Sequence, residues 1–326
     1  NVLFKTTTGG NSWEVISPDL SRDSWEIPSS VGIYSQPDML KMPRRGVIYT
    51  IAPSFKDINT IWVGTDDGLI HITRDGGKTW KNITPTAISS WSKISLMEAS
   101  HFDNNTAYAA VNRIRCDDMK AHIYKTTDGS KTWKLVLNVI EHTGFNEVMV
   151  DPRFPNIVYA AAHQRQRKVF TYIGGGPESA LYKSTDGGAT WNKMMSGIPS
   201  GDLGRIGLNY SPVNPDVLYA VVEAPDGKGG IFKSVDRGAS WEKQSGYSTS
   251  GNYYQKIFCD PKDINKIFII NAYMVVSKDG GKTVSILGEK SKHIDSHVIW
   301  INPDNTNHYL VGCDGGIYES FDAAEN

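Results

Sequence analysis

Three polar residues near the end of this 326-residue sequence have the types and spacing of a small metal-binding or hydrogen-bonding site. His293, Asp295 and His297 occupy alternate positions of residues 293–297 (HIDSH). In an extended segment, alternate side chains point to the same side. Two imidazoles and a carboxylate could then hold a metal ion, or form a hydrogen-bonded His–Asp pair that orders the segment. We expect the His–Asp pair, and the sequence predicts no metal and no other cofactor.

Arginines dominate two further groups, both in stretches rich in polar residues. Clustered guanidinium groups bind carboxylate or phosphate in bidentate fashion, although a charged run in a loop is more often simply solvated. The first group contains Arg113, Arg115, Asp117 and Asp118, and the second contains His163, Arg165, Arg167, Lys168, Tyr172 and Glu178. We predict that Arg113, Arg115, His163, Arg165, Arg167 and Tyr172 contribute to binding.

Carboxylates and tyrosines elsewhere complete the candidates. Glycoside hydrolysis needs two carboxyl groups across a cleft, one acting as acid and the other as base or nucleophile. Asp202, Asp295 and Glu178 are the candidates for that chemistry. Arg205, Tyr253, Tyr254, His293 and His297 are the remaining candidates for ligand binding.

An eight-residue pattern that recurs along the chain must position these side chains. Asp and Gly favour a tight turn, a preceding Ser or Thr bonds local backbone, and the Trp ring can cover the hairpin. The copies are residues 73–80 (TRDGGKTW), 126–133 (TTDGSKTW), 184–191 (STDGGATW), 234–241 (SVDRGASW) and 277–284 (SKDGGKTV), with degenerate copies at 6–13 and from 320. We therefore assign a structural role to Asp75, Asp128, Asp186, Asp236 and Asp279.

A second pattern, a proline or asparagine turn followed by a β-branched or aromatic run, precedes these copies. The aspartates from Asp75 to Asp322 are 53, 58, 50, 43 and 43 residues apart. Four short strands in about 40–50 residues are typical of a β-propeller blade. We predict an all-β fold, a single propeller over residues 1–326 with six to seven four-stranded blades. The blades are expected to begin near residues 47, 94, 145, 203, 254 and 297, with a half blade at 1–16.

The order of strands in such a blade predicts where a ligand binds. The repeated turns connect strands three and four, on the same face as the turns between strands one and two. The insertions at 112–121, 163–179 and 223–230 fall in the turns between strands two and three, on the opposite face. Since loops on a rigid scaffold carry function, this opposite face is the predicted site.

The repeated octapeptide resembles the Asp-box, or bacterial neuraminidase repeat, of sialidases, xyloglucanase-type hydrolases and sortilin-type receptors. Longer stretches, above all residues 163–191 and 293–320, resemble large secreted bacterial proteins labelled sortilin-like or glycosyl hydrolase. The resemblance implies a structural hairpin at each box and a secreted or cell-envelope location. It also implies that the chain is one of two propellers, a fragment or processed part of a longer protein.

The composition narrows the classes of molecule that this chain is expected to bind. The formal net charge is −1, which gives no electrostatic footprint for nucleic acid, and no apolar run reaches transmembrane length. Three cysteines give no disulfide framework. No catalytic triad, metal motif or nucleophile spacing stands out in the sequence, which favours binding over catalysis without deciding between them. We expect an interaction module that binds a protein partner or a polysaccharide, for instance as a subunit of a larger assembly. The alternative is a xyloglucanase-type glycoside hydrolase that uses paired carboxylates on the predicted face.

Overall fold

The computed structural model describes residues 1–23, 46–113, 116, 118, 120, 122–129, 131–140, 142–168, 171–288 and 290–325. Within these ranges every extended regular element is a β-strand, which confirms the prediction of an all-β fold. A two-stranded hairpin comes first, formed by β1 (Phe4–Lys5) and β2 (Glu14–Val15).

Five four-stranded sheets and one three-stranded sheet follow in the described residues. The first sheet contains β3 (Ile48–Pro53), β4 (Ile61–Thr65), β5 (Ile70–Thr73) and β6 (Lys81–Asn82). The second contains β7 (Lys93–Ala99), β8 (Ala107–Asn112), β9 (His122–Thr126) and β10 (Lys134–Leu137).

The third sheet is interrupted by an inserted hairpin. It begins with β11 (Thr143–Val150) and β12 (Val158–Gln164). The strands β13 (Gln166–Lys168) and β14 (Thr171–Ile173) then form a separate two-stranded sheet. The third sheet resumes with β15 (Ala180–Ser184) and β16 (Asn192–Lys193).

The last three sheets have shorter connections. The fourth contains β17 (Ile206–Tyr210), β18 (Leu218–Val222), β19 (Gly230–Ser234) and β20 (Glu242–Ser245). The fifth contains β21 (Ile257–Cys259), β22 (Ile267–Ile269), β23 (Val275–Ser277) and β24 (Ser285–Ile286). The sixth contains β25 (Ser296–Ile301), β26 (Tyr309–Cys313) and β27 (Gly316–Ser320).

These six sheets are the blades of a β-propeller, as predicted. Strand order within each sheet follows the chain, and neighbouring strands are antiparallel, as in the complete register of β17 with β18. The chain divides into two compact units: Asn1–Tyr159 with Ser184–Trp191, and Ala160–Lys183 with Asn192–Asn326.

In the first unit, inner strands are buried on both faces, which explains their small and apolar sequence. Residues Ala107 to Val111 of β8 are completely covered. Trp62 of β4 is also fully buried and meets the Trp133 ring edge-on, with ring centroids 6.2 Å apart. Such close packing leaves little room for larger side chains in β8.

The opening hairpin also belongs to the core of the first unit. Leu3, Ile16 and Leu20 pack with Val63 of β4. The Trp80 indole N–H donates to the carbonyl oxygen of Ile16 at 2.8 Å. This is the same bond by which later tryptophans join one sheet to the preceding one.

The second unit has two apolar clusters between its sheets. Tyr219, Ile231, Ile257 and Ile267 belong to one, and Phe268 with Tyr309 to the other. The rings of Phe268 and Tyr309 meet edge-on at 5.3 Å. The fourth, fifth and sixth sheets therefore supply a rigid base for their loops.

Each repeated turn is closed by its own side chains. The Asp236 carboxylate accepts hydrogen bonds from the Ser240 amide at 2.9 Å, the Ser240 hydroxyl at 2.5 Å and the Ser234 hydroxyl at 2.7 Å. Slight burial raises the pKa of Asp236, but these bonds outweigh it and lower the pKa to about 2. The same three bonds form at the equivalent aspartates, which are Asp75, Asp128, Asp186 and Asp279.

Candidate functional site

The inserted hairpin places the second arginine group on the second unit. Its strands pair Gln166 with Ile173, Arg167 with Tyr172 and Lys168 with Thr171. The insertion was predicted at residues 163–179 in the turn between the second and third strands of a blade, and it lies there, between β12 and β15. Its folding as a separate hairpin was not predicted.

The base of the hairpin is fixed to the propeller by hydrogen bonds. The His163 ring Nε2–H donates to the Gly174 carbonyl oxygen at 2.9 Å, and the Gly176 amide donates to the Leu203 carbonyl oxygen at 2.9 Å. A Cβ at Gly176 would lie 2.1 Å from Oε1 of Gln164. A larger residue at this position would therefore displace the Gln164 side chain, which accepts a hydrogen bond from the Glu178 amide at 2.9 Å.

His163 lies buried beneath the arginines and is uncharged at neutral pH. Burial lowers the pKa of His163 to about 4. The bond to Gly174 acts in the opposite direction, and the charges of Arg205 and Arg165 lower the pKa further. His163 thus supports the hairpin, and the lowering of its pKa by Arg205 and Arg165 indicates a positive potential from these two predicted binding residues.

Arg165 joins the hairpin to a second loop. Its Nη2 donates to Asn252 Oδ1 at 2.8 Å, and its Cζ lies 5.4 Å from the centroid of the Tyr172 ring. Tyr253 follows Asn252 and is 62% exposed. We call Arg165, Tyr172, Ile173, Asn252 and Tyr253 the Arg165 surface. An exposed aromatic ring beside a held guanidinium is suited to ligand recognition.

Tyr254 connects this surface to Asp295. Its hydroxyl donates a hydrogen bond to Asp295 Oδ1. That bond, burial and the negative charges of Asp295 and Asp314 raise the pKa of Tyr254 to about 12. The phenol therefore stays protonated and holds the Asp295 carboxylate in place.

Arg205 lies beside a carboxylate that the sequence did not single out. The Arg205 amide donates to Glu223 Oε2 at 3.3 Å. A Cβ on Gly204 or Gly251 would lie 2.2 or 2.0 Å from the same oxygen. Glu223 is thus held where two glycines let the backbone approach it.

The three candidate catalytic carboxylates have separate surroundings. Glu178 pairs with Lys193 Nζ at 3.0 Å, Asp295 accepts from Tyr254, and Asp202 is exposed in the segment before β17. The structure therefore gives each of the three carboxylates a different environment.

The expectation of a shared side for His293, Asp295 and His297 is wrong. Asp295 has a left-handed backbone with φ of 63°, so this segment is not continuously extended. His297 Nε2 instead contacts Asp314 Oδ1 at 2.6 Å, and His293 Nδ1 contacts the Ile294 carbonyl oxygen at 2.6 Å. A His–Asp pair forms, but its carboxylate comes from Asp314 rather than Asp295.

Two simple features are absent from the described part of the chain, a metal-ligand cluster and a membrane-spanning helix. Within those residues, no group of three His, Cys, Asp or Glu side chains is arranged to hold a metal ion, and no helix has the length and apolar character needed to cross a bilayer.

The first arginine group lies in the first unit and closes a turn. Arg113 Nη1 pairs with Asp118 Oδ2 at 2.7 Å, and Arg113 Nη2 donates to Ser89 Oγ at 3.0 Å. Arg115 and Asp117 lie outside the described residues, as do the side chains of Arg167 and Lys168. The described bonds give Arg113 a role in ordering the connection between β8 and β9.

Sequence reasoning missed Asn252, Glu223 and Asp314. Each is recognised through a partner far away in the chain, such as Arg165 for Asn252, 87 residues apart. Their residue types are ordinary in loops, and no local spacing distinguished them.

Solved structures with similar folds include GH74 enzymes and a peptide-bound propeller. No known family model matches the sequence, and no curated protein matches it either. The Niastella koreensis GH74 enzyme is similar with a TM-score of 0.60 and 18% identity, over 85% of this chain and 45% of that enzyme. An ancestral GH74 enzyme is similar with a TM-score of 0.64 and 15% identity, over 83% of this chain and 36% of that enzyme.

The third similar structure is YCF48 bound to D1 peptide, with a TM-score of 0.61 and 16% identity. The similarity extends over 98% of this chain and 86% of the YCF48 chain. The chain thus spans less than half the length of the two GH74 enzymes but nearly all of the peptide-bound propeller. At these identities the likeness shows a shared propeller fold alone.

Proposed function

We propose that this chain is an interaction module that binds a protein or glycan ligand at the Arg165 surface, without catalysing a reaction. The observation that carries the proposal is the contact of Arg165 with both Tyr172 and Asn252. This contact holds one guanidinium between the exposed Tyr172 of β14 and the loop that carries the exposed Tyr253. Both loops stand on sheets with buried apolar cores, so the surface is formed before a ligand arrives.

The environment of the carboxylates supports binding over hydrolysis. Glu178 is paired with Lys193, and Asp295 is held by the protonated Tyr254. Hydrolysis would require two carboxyl groups facing one sugar bond at a defined separation. The peptide-bound propeller, matched over most of both chains, supports a protein ligand at the level of the fold.

The wider setting of the module belongs to the same proposal. The repeated octapeptide resembles the Asp-box, and longer stretches of the sequence resemble secreted sortilin-like bacterial proteins. On this resemblance we assign the chain to a secreted or cell-envelope location.

A binding screen with matched variants tests this function. The full chain is applied to a glycan array and to immobilised extracellular proteins, and reducing ends are measured after incubation with xyloglucan. We expect binding without release of sugar, and loss of binding in Tyr253→Ala. The control Val235→Ala removes a side chain that is 67% exposed beside a repeated turn, and it should bind normally.

The outcomes separate the candidate functions. Release of oligosaccharides from xyloglucan would replace the proposal with the hydrolase alternative. Binding that is equal in Tyr253→Ala and wild type would place the ligand elsewhere and refute the role of the Arg165 surface.

A further inference from the structure

The hairpin of β13 and β14 exposes an apolar strand. Thr171, Tyr172 and Ile173 of β14 are all exposed, with 44% of Tyr172 and 49% of Ile173 accessible. Among the described strands, none continues this two-stranded sheet beyond β14. Uncovered strands of this kind are places where a further polypeptide segment can add to a sheet.

The charges around the strand have one sign over a long stretch. Residues 163–177 (HQRQRKVFTYIGGGP) include Arg165, Arg167 and Lys168 but no acidic residue. His163 is kept neutral by burial, so it neither adds to nor cancels these charges. The Glu223 carboxylate accepts a hydrogen bond from the Arg205 amide. Among the described side chains, the Arg165 guanidinium is held beside Tyr172 of β14, so a ligand that approaches β14 meets a positive charge.

We propose that the hairpin docks an acidic segment of a partner protein in an extended conformation. The partner's apolar side chains would cover Tyr172 and Ile173, and a carboxylate would bind Arg165. This inference rests on the binding function proposed above and specifies its ligand.

Ile173 favours a polypeptide over a glycan. Sugar rings stack their C–H faces on aromatic side chains, which Tyr172 and Tyr253 could provide. The branched aliphatic side chain of Ile173 has no planar face, and its exposed area is best covered by another apolar side chain. The charge of Arg165 then selects acidic over basic segments.

A peptide selection tests the inference. A phage-displayed library of random 12-residue peptides is panned on the full chain, with counter-selection on Arg165→Gln. The selected peptides should be enriched in Asp and Glu interspersed with apolar residues. One selected peptide is then synthesised, and its affinity is measured by fluorescence anisotropy at two salt concentrations.

The variants have matched controls in the same unit. Arg165→Gln should weaken the peptide about ten-fold, and Ile173→Ser about five-fold, as expected for contact residues. Lys282→Gln removes an equal charge from an exposed turn position, and Val235→Ser removes an apolar side chain that is more exposed than Ile173, 67% against 49%. Both controls should retain wild-type affinity, and affinity should fall at higher salt. Melting curves of all four variants show whether a loss reflects unfolding.

Three results would overturn the inference. The first is selection of neutral or basic peptides, and the second is equal affinity in wild type and Arg165→Gln. The third is a selection that enriches no peptide, together with binding of polygalacturonate that Tyr253→Ala abolishes. This third result would leave the proposed binding function intact and replace the protein ligand by an acidic glycan.

Discussion

Acid should destabilise this protein through His163, and replacing this residue by glutamine should remove that part of the effect. Burial lowers the pKa of His163 in the folded chain to about 4, whereas an unfolded histidine has a pKa of about 6.5. Between these values the unfolded chain binds a proton that the folded chain does not bind. The free energy of unfolding therefore falls as the pH falls from about 6.5 to 4.

The size of the effect follows from the two pKa values. The full difference is about 2.5 units, and one unit corresponds to about 1.36 kcal/mol, which gives about 3 kcal/mol below pH 4. At pH 5 about 2 kcal/mol of this is already lost relative to pH 7. Glutamine does not titrate, and its amide can still donate to the Gly174 carbonyl oxygen.

The assay is urea unfolding of wild type and His163→Gln at pH 7 and pH 5, followed by tryptophan fluorescence. The wild-type free energy of unfolding should fall by about 2 kcal/mol more than that of the variant over this interval. His71, whose pKa burial also lowers to about 4, titrates in both proteins and cancels in the comparison. Equal pH dependence of the two proteins would refute the burial of a neutral His163 beneath the hairpin.

Three further changes test the fold and the turns. Asp236→Asn should lower the melting temperature and leave ligand affinity unchanged, because the three hydrogen bonds of Asp236 lie within one turn. The pKa of Asp236 is lowered to about 2, so these bonds should stabilise the wild type above about pH 4, and this stabilisation should be lost as the pH falls through 2. Gly197→Ala should destabilise by at least about 2 kcal/mol in urea titrations, because φ is 91° and the new Cβ would lie 2.0 Å from the Trp241 carbonyl oxygen. Trp191→Phe should cost about 1–2 kcal/mol in the same titrations through loss of the indole bond to Val136, and an unchanged midpoint would contradict that bond.

Local patterns made the fold predictable from the sequence. Each repeated turn contains its own hydrogen-bond donors, with Ser or Thr two residues before the aspartate and four residues after it. Donor and acceptor are therefore visible within eight residues of sequence. Because the same turn recurs at blade-length intervals, the repeat also predicted the sheets to which the turns belong.

The candidate site was less predictable because its contacts join distant segments. Arg165 was selected for its charge, but its contact with Asn252 depends on how the two loops meet. The extended conformation expected around Asp295 failed because this residue adopts a left-handed backbone where the chain turns into β25. Aspartate, like asparagine, is enriched in the left-handed region, but it is also common in extended segments, so the alternating pattern alone did not reveal this conformation.

Asp236 and Arg165 differ in how far along the sequence their hydrogen-bond partners lie, and this difference separates a structural role from a recognition role. The Asp236 carboxylate is satisfied by donors within four residues, and this arrangement serves one hairpin. Arg165 is positioned by Tyr172 of β14 and by Asn252 of a separate loop in the second unit. Because partners remote in the sequence fix its orientation, Arg165 is where a ligand would gain affinity from a preformed scaffold.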